Sequence, residues 1–282
     1  MPSDRVDRTG QVIGQRFHID ALIGHGAMAD VYRARDLETG GDIALKILKR
    51  SLAGDPAIQQ RFAREADVQA KLRHPNVAAL HATGVTEYDE PYLVVELLRG
   101  KTLRHVIKTE GRVAPRKAAS YAWQALQGLA EIHGSGVLHR DLKPANIMLE
   151  PSPGPVERVV LIDFGFATLE GAARLTQQGT VVGSLTYIAP ERLRGELPDR
   201  RSDLYAIGII LFEMLQGTPP FTAAKDIDLV ELQLDAAPPP LDDGAPAALG
   251  AIIDCALAKQ PGDRYFDAAE MARALEAAAR SL

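Results

Sequence analysis

The sequence predicts an α+β fold of two lobes, a β-rich N-lobe followed by a helical C-lobe, and three observations predict it. Apolar runs of strand length dominate the chain up to about Leu97. After Arg99-Gly100 the hydrophobic repeat changes to the period of about 3.6 residues that marks amphipathic helices. The chain of 282 residues is long enough for two lobes with separate cores, or for one large domain.

The elements follow in order. Met1–Arg16 is polar and reads as an N-terminal extension. Phe17-His18-Ile19 and Leu22-Ile23 precede a glycine turn, Asp30–Ala34 alternates, and Ile43–Leu48 is a third apolar run. Asp55-Pro56 opens a helix carrying Ile58, Phe62, Glu65, Gln69 and Leu72 at helical spacing, and the helix ends before His74-Pro75. Two further strands are expected near Ala78–Val85 and Tyr92–Leu97. Helices are expected over Thr102–Lys108, Lys117–Ser135, Ser202–Gln216, Leu249–Ala258 and Asp267–Arg280. The proline-rich stretches Pro151–Pro155 and Ala236–Pro246 read as surface loops, because each sits between elements that must pack together. A boundary near residue 98 gives an N-lobe of 17–98 and a C-lobe of 99–275, with 276–282 as the end of the last helix. A cleft between such lobes is a usual place for a ligand.

Composition narrows the function classes. The formal charge of −5 argues against a nucleic-acid surface, which carries a basic patch or stripe. The single cysteine, Cys255, forms no internal disulfide and fits a reducing cytoplasm. Its apolar neighbours predict a buried small hydrophobe. The N-terminus lacks the apolar segment of a signal peptide, and the most apolar run, Leu204–Leu215, is shorter than the roughly 20 residues a membrane span needs. No membrane segment is expected.

The chemistry concentrates in His139-Arg140-Asp141-Leu142-Lys143-Pro144-Ala145-Asn146, followed by Asp163-Phe164-Gly165. Asp141 is a candidate base and Lys143 a cation, while Asn146 and Asp163 offer hard oxygens suited to Mg²⁺. Each alone reads equally as a loop-capping residue; their joint occurrence, in order and separated by one short hairpin, points to phosphoryl transfer from a metal-bound nucleotide. Upstream, Ile23-Gly24-His25-Gly26 leads through Ala29 into a strand at Val31. Gly24 and Gly26 allow backbone N–H groups to approach phosphates, and the strand that follows distinguishes the loop from a dinucleotide-binding turn, which opens a helix. Lys46, in an apolar strand, either snorkels outward or is paired, and Glu65 is a candidate partner.

These motifs resemble the eukaryotic-like serine/threonine protein kinase family of bacterial type, and the resemblance runs from about Phe17 to about Leu275. It implies a protein-kinase-like fold, ATP as phosphoryl donor, Mg²⁺ (with Mn²⁺ as an alternative) and protein serine or threonine acceptors. By resemblance, Ile23, Gly24, Gly26 and Val31 belong to the glycine-rich loop. Lys46 contacts phosphates with Glu65 as its helix partner, Asp141 is the catalytic aspartate, Lys143 supports the transferred group, and Asn146 and Asp163 hold the metal. Val31, Ala44 and Met148 fall where the family sandwiches adenine. Glu96 and Leu98 fall at the hinge, with Val95 as a small gatekeeper. Ala189-Pro190-Glu191 closes the activation segment, Glu191 pairs with Arg264, and Asp203 braces the catalytic loop.

The resemblance also implies regulation. Arg140 is placed to pair with a phosphorylated residue of the segment, and Thr176, then Thr180, are the expected autophosphorylation sites. Ser184 and Thr186 are expected to shape the substrate site. Members of the family pair back-to-back through the N-lobe, so an N-lobe homodimer is among the implied partners. The chain ends soon after its last helix, as either a freestanding kinase or a domain cut from a longer protein would. Three departures stand out: Ala29 replaces the third loop glycine, Ser184 replaces a threonine, and the polar Gln69 replaces an apolar helix residue that packs toward Phe164. That last change is expected to soften a stack of Gln69, Leu80, His139 and Phe164. Two rival readings remain at this point, a catalytically silent nucleotide-binding scaffold and a small-molecule kinase of related fold.

Overall fold

A computed structural model of the chain describes residues 7–163, 185–242 and 244–282. The chain divides into two compact units, Met1–Arg73 with Ala78–Arg99, and His74–Val77 with Gly100–Leu282. The short segment His74–Val77 joins the second unit because its polar groups are satisfied there. Asn76 accepts from Leu161 N at 2.9 Å through its carbonyl and donates Nδ2 to Val159 O at 2.7 Å. Val77 also bridges Leu161 in parallel.

The first unit is an antiparallel sheet with one substantial helix. Its strands are β1 (Val12–Ile13), β2 (Phe17–His25), β3 (Ala29–Asp36), β4 (Asp42–Leu48), β5 (Leu80–Val85) and β6 (Pro91–Glu96), in the order β1-β2-β3-β4-β6-β5. Period-2 alternation gives the sheet two apolar faces. One buries Phe17, Ile19, Tyr32, Ile43, Leu45, Ile47 and Val94 together with Ile13. The other buries Leu48, Leu80 and Leu93 against Phe62 and Ala66 of α2 (Pro56–Gln69), which follows a one-turn helix α1 (Arg50–Ala53). Asp55 caps α2 by accepting from Ala57 N and Ile58 N, and Pro56 occupies its first turn, where a missing N–H costs nothing. Part of the segment read as an N-terminal extension belongs to this sheet. Ile13 is fully buried, and Arg8 forms a buried two-pronged ion pair with Glu90 at 2.7 and 2.8 Å. A two-residue strand is too short to show alternation.

The second unit holds a three-stranded sheet, β7 (Lys101–Thr102), β8 (Ile147–Glu150) and β9 (Arg158–Leu161), and a set of helices. These are α3 (Leu103–Glu110), α4 (Pro115–Gly134), α5 (Pro190–Leu193), α6 (Arg200–Gln216), α7 (Asp226–Asp235), α8 (Ala247–Ala256) and α9 (Ala268–Ala279). Every residue of α6 from Ser202 to Leu215 is buried, which marks a helix enclosed on all sides. Gly208 permits its crossing with α8: a Cβ there would stand 2.8 Å from that of Ala256. α6 begins at Asp199, which caps Arg201 N, and ends at the left-handed Gly217.

One helix lies outside the expected set, and one expectation is corrected. The helix α7 carries no clean apolar stripe for the sequence pattern to show; Ile227 is 62% exposed while the polar Gln233 is fully buried. Cys255 is half-buried, not buried, because the inner face of α8 is Leu249, Ile252, Ile253 and Ala256, and Cys255 falls beside that stripe.

Candidate active site

In the first unit the sheet register brings the nucleotide candidates to one face. Lys46 on β4 lies opposite Val31 on β3 and Leu93 on β6, while Ala44 lies opposite Val95. Cross-strand partners and i,i+2 neighbours share a face, so Val31, Ala44, Lys46 and Val95 do. This is the face on which α2 packs, and Glu65 of α2 meets Lys46 with Nζ–Oε1 at 2.6 Å. Both side chains are mostly buried, at 17% and 14% exposure, so each charge stabilises the other in a partly desolvated setting. The apolar neighbours of Lys46 thus reflect a paired lysine.

The glycine loop joins β2 to β3. Gly24 pairs with Val31 in the ladder, and Gly26 N donates to Ala29 O at 3.0 Å, closing the turn. A Cβ on Gly26 would sit 2.9 Å from that same carbonyl, so the turn admits only glycine there. His25 Nδ1 lies 2.6 Å from Asp30 Oδ1 across the loop, a proximity that the sequence does not announce. Ile23 is half-exposed at the root of the loop; Glu96 ends β6, and Leu98 follows it, half-buried.

The second unit carries the Asp141 loop. Arg140 has φ +65°, a conformation unfavourable for a side chain with a Cβ, so the surroundings must hold it. Asp203, in the first turn of α6, does so. Its Oδ2 accepts from His139 N at 2.9 Å and from His133 Nε2 at 2.8 Å, and its Oδ1 accepts from Arg140 N at 2.9 Å. Burial opposes ionisation of Asp203, but the bond from His133 and the nearby backbone donors outweigh it and hold the carboxyl below its ordinary range. Arg192 donates Nη1 to Arg140 O at 2.6 Å from the other side.

Downstream, a 3-10 turn over Pro144–Asn146 folds the loop back on itself. Asn146 donates Nδ2 to Asp141 O at 2.8 Å and to Asp141 Oδ2 at 3.0 Å, while Lys143 Nζ donates to the same Oδ2 at 2.6 Å. Both side-chain bonds therefore converge on one carboxylate oxygen. Met148, half-buried, lies on β8 two residues beyond Asn146, and Ile162 N donates to Asn146 O at 3.0 Å, tying the loop to the backbone before Asp163. Asp163 is exposed, with φ +53°.

Glu191 and Arg264 form a buried two-pronged pair, Nη1–Oε1 at 2.9 Å and Nη2–Oε2 at 2.8 Å, and Ser202 Oγ adds a bond at 2.6 Å. Burial acts to raise the Glu191 carboxyl, yet Arg264 and Ser202 bring it below its ordinary range. Gln69 is buried and donates to Ala78 O at 2.9 Å, so its amide has a partner within its own unit. Phe164, Gly165, Thr176, Thr180 and Ser184 lie outside the described residues. His133, Arg192, Glu213 and Gln233 escape motif reading, because each acts on a segment far away in sequence.

The protein kinase domain model matches residues 17–272. The serine/threonine-protein kinase PknB of Mycobacterium tuberculosis is 39% identical over 267 residues, 92% of this chain and 42% of its own length. PknB of Mycolicibacterium smegmatis is 39% identical over 272 residues, 93% of this chain and 43% of its own. A variant of the PknI kinase domain of Mycobacterium tuberculosis matches with a TM-score of 0.74 at 27% identity, covering 98% of this chain and 100% of that one. The chain spans less than half the length of the curated relatives it matches. With this coverage and the described architecture, the chain belongs to the protein kinase domain family and has its fold.

Proposed function

We propose that this chain is an ATP-dependent serine/threonine protein kinase, and the observation that carries the reading is the Asp141 loop. Lys143 and Asn146 both bond Asp141 Oδ2, which leaves Oδ1 without a hydrogen bond from the described residues. In that role Oδ1 accepts and orients the proton of the acceptor hydroxyl. Lys143 places positive charge beside the group in transfer, and Lys46, steadied by Glu65, holds the α- and β-phosphates. Val31, Ala44 and Met148 are assigned to the adenine, with Ile23, Gly24 and Gly26 over the phosphates and Glu96 and Leu98 at the base edge.

The donor set fits a magnesium ion. Asn146 spends its amide N–H groups on Asp141, which leaves its Oδ1 as the neutral oxygen that would serve as a ligand, and Asp163 adds an exposed carboxylate. Two protein oxygens with substrate phosphates completing the shell is how Mg²⁺ is usually held, and Mn²⁺ accepts the same ligands. Bound there, the ion would supply charge neutralisation to the phosphates. Among the described residues no cluster of three or more His, Cys, Asp or Glu side chains makes a separate resident metal site.

Arg140 is assigned to receive a phosphate on the activation segment, with Thr176 first and Thr180 second as its bearers. Its Nε is buried and has no hydrogen-bond partner among the described residues, a donor suited to an incoming anion. No helix of the described residues is long and apolar enough to cross a membrane; the single cysteine supports a cytoplasmic setting. The test is incubation with Mg·ATP and a generic protein acceptor, followed by mass spectrometry, with Asp141→Asn as control. Phosphoserine or phosphothreonine on acceptor and enzyme is expected, with Thr176 modified. Absence of any protein phosphorylation, including self-phosphorylation, overturns the reading.

A further inference from the structure

We infer that Gln233 is a positioning residue for the protein acceptor, holding the backbone of Thr186 in place from α7. The inference rests on the kinase reading and concerns residues 185–191, the described end of the activation segment.

Gln233 is fully buried in a helix whose other residues are exposed or half-buried. A buried amide is costly unless both its ends are bonded. Here both are: Nε2 donates to Thr186 O, and Oε1 accepts from the Tyr205 hydroxyl, each at 2.5 Å. The Thr186 carbonyl can only accept, so it fixes the N–H end of the amide toward itself, and the Tyr205 hydroxyl, donating, holds the oxygen end. Tyr205 is itself fully buried on α6, with the Arg264 guanidinium 4.8 Å from its ring centre. The main chain of Gln233 is held as well. Lys259 Nζ donates to Gln233 O at 2.8 Å and to Leu232 O at 3.3 Å, capping the last carbonyls of α7.

The segment thus has three anchors. The Tyr187 hydroxyl donates to Glu213 Oε2 at 2.7 Å, Glu191 pairs with Arg264, and Gln233 takes the Thr186 carbonyl. The first two hold side chains, whereas Gln233 holds a backbone group, which sets how neighbouring N–H and C=O groups face an acceptor peptide. Arg192, just past Glu191, donates to Arg140 O, so a segment set by Gln233 is also in register with the Asp141 loop.

A purely structural role predicts lower stability with the kinetic constants of both substrates unmoved or moved together. The two are separated with Gln233→Glu, which keeps the shape and the oxygen for Tyr205 but removes the donor to Thr186, and with Tyr205→Phe, which removes only the hydroxyl that holds the oxygen end of the amide. The readouts are kcat and KM for myelin basic protein and for Mg·ATP, with thermal unfolding alongside. The expected result is a KM for the protein acceptor raised about tenfold in Gln233→Glu and about threefold in Tyr205→Phe, with KM for ATP within about twofold of the parent. An unchanged acceptor KM, or acceptor and ATP constants rising in step, overturns the inference. Where Gln233→Glu does not fold, Tyr205→Phe decides by the same criterion. Failure of the unmodified chain to phosphorylate any protein sinks the kinase reading itself, which is a different result from an active parent with indifferent variants.

Discussion

The two units hold their functional side chains in opposite ways. In the first, Lys46 and Glu65 stand on a regular strand and a regular helix, and an ion pair of 2.6 Å joins them. In the second, Asp141, Lys143 and Asn146 stand on irregular backbone, with Arg140 at φ +65°, and a buried carboxylate from a distant helix holds the loop by two N–H groups. Regular elements carry their own hydrogen bonds and need little support. An irregular loop has backbone donors with no neighbour in sequence to satisfy them, so it borrows acceptors from the core. The lesson is that function and stability are separable in the first unit and entangled in the second, except at the side chain proposed to meet the substrate.

The largest effect expected is on rate alone. Asp141→Asn keeps the shape of the loop and should lower kcat about 10³-fold, with the unfolding midpoint unchanged, as steady-state kinetics and calorimetry on one preparation will show. A large loss of stability would mean that Asp141, too, is scaffold. Next comes Asp203→Ala, which strands His139 N and Arg140 N without their acceptor. Denaturant unfolding should reveal a loss of about 3–5 kcal/mol, accompanied by loss of activity; a stable variant with an intact loop would break the contrast between the units.

A smaller effect is expected in the first unit. Glu65→Gln removes the charge opposite Lys46 but leaves a hydrogen-bond acceptor. KM for ATP should rise about tenfold, with about 1–2 kcal/mol of stability lost, because the pair is mostly buried but the amide still accepts from Lys46. The smallest concerns pH. The Glu191 carboxyl titrates lower in the folded chain than unfolded, so its stabilisation is complete above the unfolded value of about 4.3 and is lost as pH falls through the folded one. Thermal melts from pH 8 to 6 should be insensitive to this group. Below about pH 4.5 the parent should lose stability more steeply than Glu191→Gln, and parallel slopes would remove Glu191 from the account.

Much of the fold was legible because hydrophobic period is a local property. The switch after Arg99-Gly100 separates sheet from helices, and Asp55-Pro56 marks the start of α2. What escaped were elements without a clean period. α7 exposes Ile227 and buries Gln233, and β1 is only two residues long. The packing of His74–Val77 with the second unit was also hidden, since it depends on Asn76 meeting Val159, 83 residues further on.

The candidate site divides along the same line. The sequence by itself determined the inventory of candidates: a carboxylate proposed as base, two lysines, two side chains proposed as oxygen ligands and the glycines proposed to face phosphates, all recognisable because they fall in short fixed spacings. It also determined the pairing of Glu191 with Arg264 through the family pattern. Only the tertiary structure decided which backbone each group holds. Asp203 on His139 and Arg140, Arg192 on Arg140, and Gln233 on Thr186 join segments between 47 and 64 residues apart. Such bonds depend on where two elements meet in space, and a carbonyl or an N–H acting as partner leaves no mark on the side-chain sequence that pattern reading uses.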